Sequence, residues 1–135
     1  MNREILFKAK RKDWRDLPKE QWWIEGLPTR MWRELYIQDS EDENTAYKID
    51  PDTLCQYTGL TDKNGKKIWE NDICDRKEKY PEIVAYNKGD WQLDYSYAFG
   101  KEMHSNACNL GFYAYERNCV EVIGNIFDNA DLLEV

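Results

Sequence analysis

Histidine is nearly missing from this chain of 135 residues: the only one is His104. The four cysteines, Cys55, Cys74, Cys108 and Cys119, stand 19, 34 and 11 positions apart, so there is no CxxC pair. That excludes a paired zinc knuckle, and it leaves any cysteine nucleophile one candidate base, in a polar stretch. Zinc shared by four distant thiols is the sharper metal reading; four reduced thiols is the plainer one. No run approaches the ~20 consecutive apolar residues of a membrane helix, and the polar, Trp-rich N-terminus lacks the apolar centre of a signal peptide. The expectation is a cytoplasmic protein with no membrane contact and no cofactor. Internal repeats and low-complexity tracts are absent as well.

Aromatics, by contrast, are plentiful: six Trp and nine Tyr help bring their share to 14%. Such rings suit half-buried sheet faces and favour β over α structure. A charged fraction of 33% would lean towards disorder without them, but each buried ring contributes on the order of 2 to 3 kcal/mol. A chain of this length buries roughly 65 to 70% of its unfolded surface, enough for one core and too little for two large domains. Charge is uneven. Residues 1–33 hold nine Lys or Arg against five Asp or Glu, and residues 34–135 hold ten against twenty-one, which together make the net charge of -7. That field opposes general binding to phosphates, with the N-terminal stretch as the local exception.

Along the chain, Glu4 to Ala9 reads as a first strand, followed by a polar turn region from Lys10 to Glu20. Gln21 to Gly26 reads as a short strand stopped by Gly26 and Leu27-Pro28, and Met31 to Gln38 as another strand. Asp39 to Asn44 is an acidic linker. Tyr47 to Leu54 is extended around a turn at Asp50-Pro51. Thr58-Gly59 forms a turn, as does Asp62-Lys63-Asn64-Gly65, the latter of type I with its glycine left-handed. A bend follows at Glu70-Asn71-Asp72, where Asn71 tolerates positive φ. Asn87-Lys88-Gly89-Asp90 joins a hairpin from Pro81–Tyr86 and Trp91–Tyr97. After a polar loop from Lys101 to Cys108, strands are expected over Phe112–Glu116 and Asn118–Ile123, and Asp128 caps a last helical turn.

Three segments carry more than local structure: the opening Arg3-Glu4-Ile5-Leu6-Phe7-Lys8-Ala9, the run from Gln56-Tyr57-Thr58-Gly59-Leu60 to Glu70-Asn71-Asp72-Ile73, and the ending Val122-Ile123-Gly124-Asn125-Ile126-Phe127. Together they resemble the YopX-like family of phage and prophage proteins. In that family glycine usually stands at the place of Asn71 in the middle run, tyrosine is common at the places of Trp69 there and of Phe127 in the ending, and proline is common at Ala130. These exchanges keep the backbone logic and the side-chain volume. The resemblance implies an SH3-like small β-barrel over roughly residues 55–127 with additional N-terminal β-strands packed beside it. The domain reading is an N-terminal β extension over 1–54, and a barrel with a C-terminal helical turn over 55–135. The motif residues Thr58, Gly59, Asp62, Gly65, Glu70, Asn71, Asp72, Gly124 and Asn125 are read as turn residues, and the resemblance brings no catalytic ones.

Glu70 and Asp72, two apart around a bend, have the spacing of a cation-binding or acid–base pair, although acids in tight turns more often bond backbone amides. Asp128-Asn129-Ala130-Asp131 is too short for a calcium loop. Lys8 to Arg15 interleaves five basic residues with Trp14, the pattern of a phosphate-neutralising patch with a stacking ring. Trp91, Tyr95 and Tyr97 fall on one face of a strand by period two, as do Tyr113 and Tyr115 on another, and exposed rings on small barrels often meet partners. The function expected is a non-catalytic binding module, not an enzyme, that contacts a host or phage protein in the bacterial cytoplasm. Nucleic-acid association through the N-terminal stretch, a metal-assisted enzyme built on Glu70 and Asp72, and homo-oligomer assembly through edge strands are the alternatives.

Overall fold

The structure is a computed structural model that describes residues 4–98 and 108–134. The chain divides into two compact units between Tyr57 and Thr58. In the first unit, β1 (Phe7–Lys10) pairs with β2 (Trp23–Met31), and β2 with β3 (Glu34–Asp39), all antiparallel. A third pairing joins β3 to β4 (Ala46–Lys48). On its other side β1 takes the start of β5 (Cys55–Thr61). Ala9, Ile37 and Ile49 form the core here, with Phe7, Ile24, Leu35, Tyr47 and Leu54 against it. The residues between β1 and β2 make two single 3-10 turns, Trp14–Asp16 and Lys19–Gln21.

β2 does not stop at Gly26 or Pro28, as the turn formers there suggest, but runs through both. Gly26 is needed for close approach: a Cβ at that position would lie 1.7 Å from the Gln38 carbonyl oxygen on β3. Pro28 is tolerated because a proline on an edge can turn its nitrogen away from the ladder. The expected strand from Met31 to Gln38 is broken by the tight turn Trp32-Arg33 of the β2–β3 hairpin. The acidic stretch after β3 is a loop ordered by its own carboxylates. Asp39 accepts the Glu41 N–H at 2.9 Å, and Asp42 accepts from the Asn44 amide and the Thr45 hydroxyl.

In the second unit β5 continues as neighbour to β6 (Lys67–Trp69). A separate sheet contains β7 (Asp72–Asp75), β8 (Glu82–Asn87), β9 (Asp90–Asp94), β10 (Cys108–Asn109) and β11 (Glu121–Asn125), in the order β10-β9-β8-β7-β11. Ile68, Cys74, Val84, Leu93, Leu110, Ala114, Val120 and Val122 are its core. The β8–β9 hairpin closes at Lys88-Gly89 with φ of 54° and 80°, and Gly65 closes its turn at φ 81°. Both agree with the turn chemistry of the sequence. Thr58-Gly59 is not a turn; it lies inside β5, with Gly59 at φ 86°.

The fold is mainly β: two antiparallel sheets, of six strands (β4-β3-β2-β1-β5-β6) and five. The expected closed barrel is not found among the described residues. Closure requires the first and last strands of a sheet to bond each other, and three of the four edge strands, β4, β6 and β10, are only two or three residues long, too short to make a seam. No described helix is long and apolar enough to cross a membrane.

Candidate functional site

The motif residues spend their polar atoms on the backbone. Thr58 Oγ1 donates to the Ile68 carbonyl at 2.7 Å and accepts the Leu60 N–H at 3.2 Å. Asp62 is buried; its Oδ1 takes the Asn64 and Lys66 amides and its Oδ2 the Val122 amide, each at 2.9 Å. Burial alone would raise its pKa, but the three amides and the Lys66 charge outweigh burial and hold the carboxyl below the ordinary range. Asp72, also buried, accepts the Trp69 N–H at 2.8 Å across the bend, where Asn71 has φ 70°. Glu70 is half-buried beside it. Gly124 leaves room for Asn129, whose Oδ1 receives the Asn125 N–H at 3.1 Å, while Asn125 Oδ1 receives those of Phe127 and Asp128. Asp62 and Asp72 thus act as turn locks.

The thiols are in no disulfide, and among the described residues no three His, Cys, Asp or Glu side chains group as a metal site. His104 lies outside the described residues. Cys74 is buried, and burial together with the Asp72, Asp62 and Glu82 charges pushes its thiol far above the usual range. It is a core thiol.

The sequence offers no sign of the buried ion pair at the end of β7. Arg76 Nε meets Glu82 Oε1 at 2.6 Å, its Nη1 meets Glu78 at 3.0 Å, its Nη2 reaches Cys108 Sγ at 3.3 Å, and its guanidinium stacks 4.2 Å from the Tyr113 ring. Burial pushes the Glu82 carboxyl up while Arg76 pulls against it. Glu82 Oε2 is buried with no hydrogen-bond partner among the described residues. A cavity of about 210 Å³ lies beside the pair, lined by Arg76, Glu78, Lys79, Tyr80 and Tyr95.

The five rings singled out in the sequence do not share strand faces. β9 ends at Asp94, whose carboxylate accepts the Ser96 N–H at 2.7 Å and starts a 3-10 turn over Ser96–Ala98. Tyr95 therefore lines the cavity, and Tyr97 donates its hydroxyl to the Pro81 carbonyl at 2.8 Å. Trp91 packs on the core, edge-to-face with Tyr86 at 5.0 Å. Phe112–Glu116, expected as a strand, is a π-helical turn closed by the Arg117 N–H on the Phe112 carbonyl at 2.9 Å. Tyr113 and Ala114 of this turn face the core. Phe112 and Tyr115 stay outside, 44% and 77% exposed, and Phe112 stands edge-to-face with Tyr113 at 5.0 Å.

Of the five cations in the alternative phosphate-binding stretch, four lie over rings and Lys12 pairs with Glu34 at 3.3 Å. Lys10, buried, holds its Nζ 3.9 Å from the Trp14 ring, 4.7 Å from Trp22 and 5.6 Å from Trp23. Arg15 covers Trp14 at 4.4 Å, Lys8 covers Trp23 at 4.7 Å, and Arg11 lies over Tyr47 while forking onto Asp13. Each contact is worth about 0.5 to 2 kcal/mol according to its desolvation, so the interleaved Trp and Lys/Arg pattern supports the fold.

Two antiparallel sheets define a mainly β protein in which Thr58, Asp62 and Asp72 of the middle run bond backbone groups of the second unit. The YopX protein family matches this chain over residues 7–134, and the chain belongs to that family. No curated protein matches it. The crystal structure of protein EF1440 from Enterococcus faecalis is similar at 24% sequence identity, covering 98% of this chain and 100% of that one with a TM-score of 0.55, a likeness of fold.

Proposed function

We propose that this chain is a non-catalytic binding module that contacts a host or phage protein in the bacterial cytoplasm, and that the π turn Phe112–Glu116 presents the contact. The observation that carries this reading is the split within the turn: Tyr113 and Ala114 anchor it to the core while Phe112 and Tyr115 point outward. π turns occupy well under 1% of residues and recur at functional sites, and aromatic rings on a rigid base are the usual anchors of interfaces. The SH3-like arrangement belongs to this reading in an open form, as the meander β7-β8-β9 with β11 returning along β7. Two pulldowns from host lysate test it, one with the natural chain and one with Phe112→Ala/Tyr115→Ala, each with and without nuclease. A protein captured by the first alone, whatever the nuclease, supports the reading. Equal capture by a folded double variant, or capture that nuclease abolishes, refutes it.

A further inference from the structure

The β2–β3 hairpin extends beyond its neighbours. β1 covers β2 only as far as Gly26, so from Leu27 to Met31 the strand has β3 alone beside it. At the tip, Trp32 and Arg33 have φ of 53° and 68°, a type I′ pair that Asn-Gly would fill at ease. Left-handed backbone is unfavourable for an L-residue, and bulky residues are uncommon there. Trp32 is nonetheless 92% exposed, with Met31 and Leu27 also exposed on the arm. Arg30 and Arg33 beside it are exposed and make no ion pair among the described residues, unlike Arg11 on Asp13 and Lys12 on Glu34. The strained tip thus carries an outward ring and, among the described residues, two guanidinium groups without an ion pair.

At the base of the same hairpin is a cleft of about 280 Å³ with opposite character. Trp23 and Ile24 line it, and so do four acidic residues, Glu20, Glu25, Asp39 and Glu41. Six residues of strand, about 20 Å, separate Gly26 at this end from Trp32 at the other, so a tip cannot enter its own cleft. Two hairpins laid side by side and antiparallel about a two-fold axis bring each tip to the other's cleft.

We propose that the Trp32-Arg33 tip docks, with Arg30, into the Glu20/Glu25/Asp39/Glu41 cleft of a second copy of this chain, giving a reciprocal dimer. Apolar tip meets the Trp23 and Ile24 lining, and the arginines meet carboxylates, which makes the contact self-complementary and closed. A nucleic acid is the lesser fit, because only two cations at the tip are unengaged and duplex binding requires several phosphate contacts. The contact lies in the first unit and is independent of the π-turn reading in the second.

Sedimentation of the purified full chain over a wide concentration range, at low and high salt, tests the dimer. The expected result is a concentration-dependent dimer that loosens as salt rises. Trp32→Asn/Arg33→Gly, which supplies the residues this turn prefers, is expected to raise the unfolding midpoint and weaken association at least about tenfold. Two charge-reversed chains complete the test: Arg30→Glu/Arg33→Glu, and Glu20→Lys/Glu25→Lys/Glu41→Lys. Each alone should be monomeric, because like charges then meet at both contacts, and a mixture of the two should dimerise. A natural chain that stays monomeric throughout, a turn variant that dimerises as before, or a mixture that remains monomeric overturns the proposal.

Discussion

The Asp62 carboxylate and the Val122 amide, sixty residues apart in sequence, are 2.9 Å apart in space, so one side chain closes its own turn and locks the last strand against it. With three amides on one buried carboxylate, Asp62→Ala is expected to cost about 2 to 4 kcal/mol, because the amides lose a charged acceptor. The folded carboxyl titrates below its unfolded value of about 3.9. Its contribution is therefore complete above that value and is lost as pH falls through the folded one. Urea unfolding of the natural chain and Asp62→Asn should differ clearly at neutral pH and converge in acid. A gap that does not change with pH would show that the charge plays no part.

At Asn71 the backbone sits at φ 70°, its N–H bonds the Val84 carbonyl at 2.8 Å, and its own carbonyl accepts from Ile126 at 3.1 Å. Asn71→Gly is expected to be neutral or slightly stabilising, and Asn71→Val to cost more than about 1 kcal/mol, since a β-branched residue is least suited to this region. Thermal melts of both variants decide it. Equal melting points would contradict the backbone argument.

Removal of Arg76 leaves the nearly inaccessible Glu82 carboxylate without its countercharge, facing the Glu78 and Asp94 charges. Arg76→Met should cost about 3 to 5 kcal/mol, and adding Glu82→Leu should recover most of that loss, as expected when a buried pair is replaced whole. A double variant as unstable as the single one would mean that Arg76 acts through Tyr113 and Cys108 instead.

Thiol accessibility should divide two and two. Cys55 and Cys74 are buried, while Cys108 and Cys119 are half-buried. In native buffer an alkylating reagent should label only the latter pair, and all four should react in denaturant, with mass spectrometry locating the adducts. Labelling of Cys74 before unfolding would contradict its place in the core.

Local chemistry was legible wherever a few neighbouring residues decide it. The β8–β9 hairpin at Lys88-Gly89, the Asp62–Gly65 turn and the left-handed Asn71 follow from glycine, asparagine and aspartate at fixed offsets, because positive φ and side-chain-to-amide bonds act over two to four residues. Membership in the YopX family was legible for the same reason, since the motif is largely a string of such turns. The alternation of Trp91, Tyr95 and Tyr97 misled: period two places side chains only while the strand persists, and the Asp94–Ser96 contact ends it. Only the tertiary structure decided that Gly26 and Pro28 lie inside a strand, that residues 112–116 coil into a π turn, that Lys10 is enclosed by three tryptophans, and that Arg76 finds Glu82 and Cys108. Each depends on backbone approach, burial or charge pairing between segments brought together by folding, and those energies have no signature in the order of neighbouring residues.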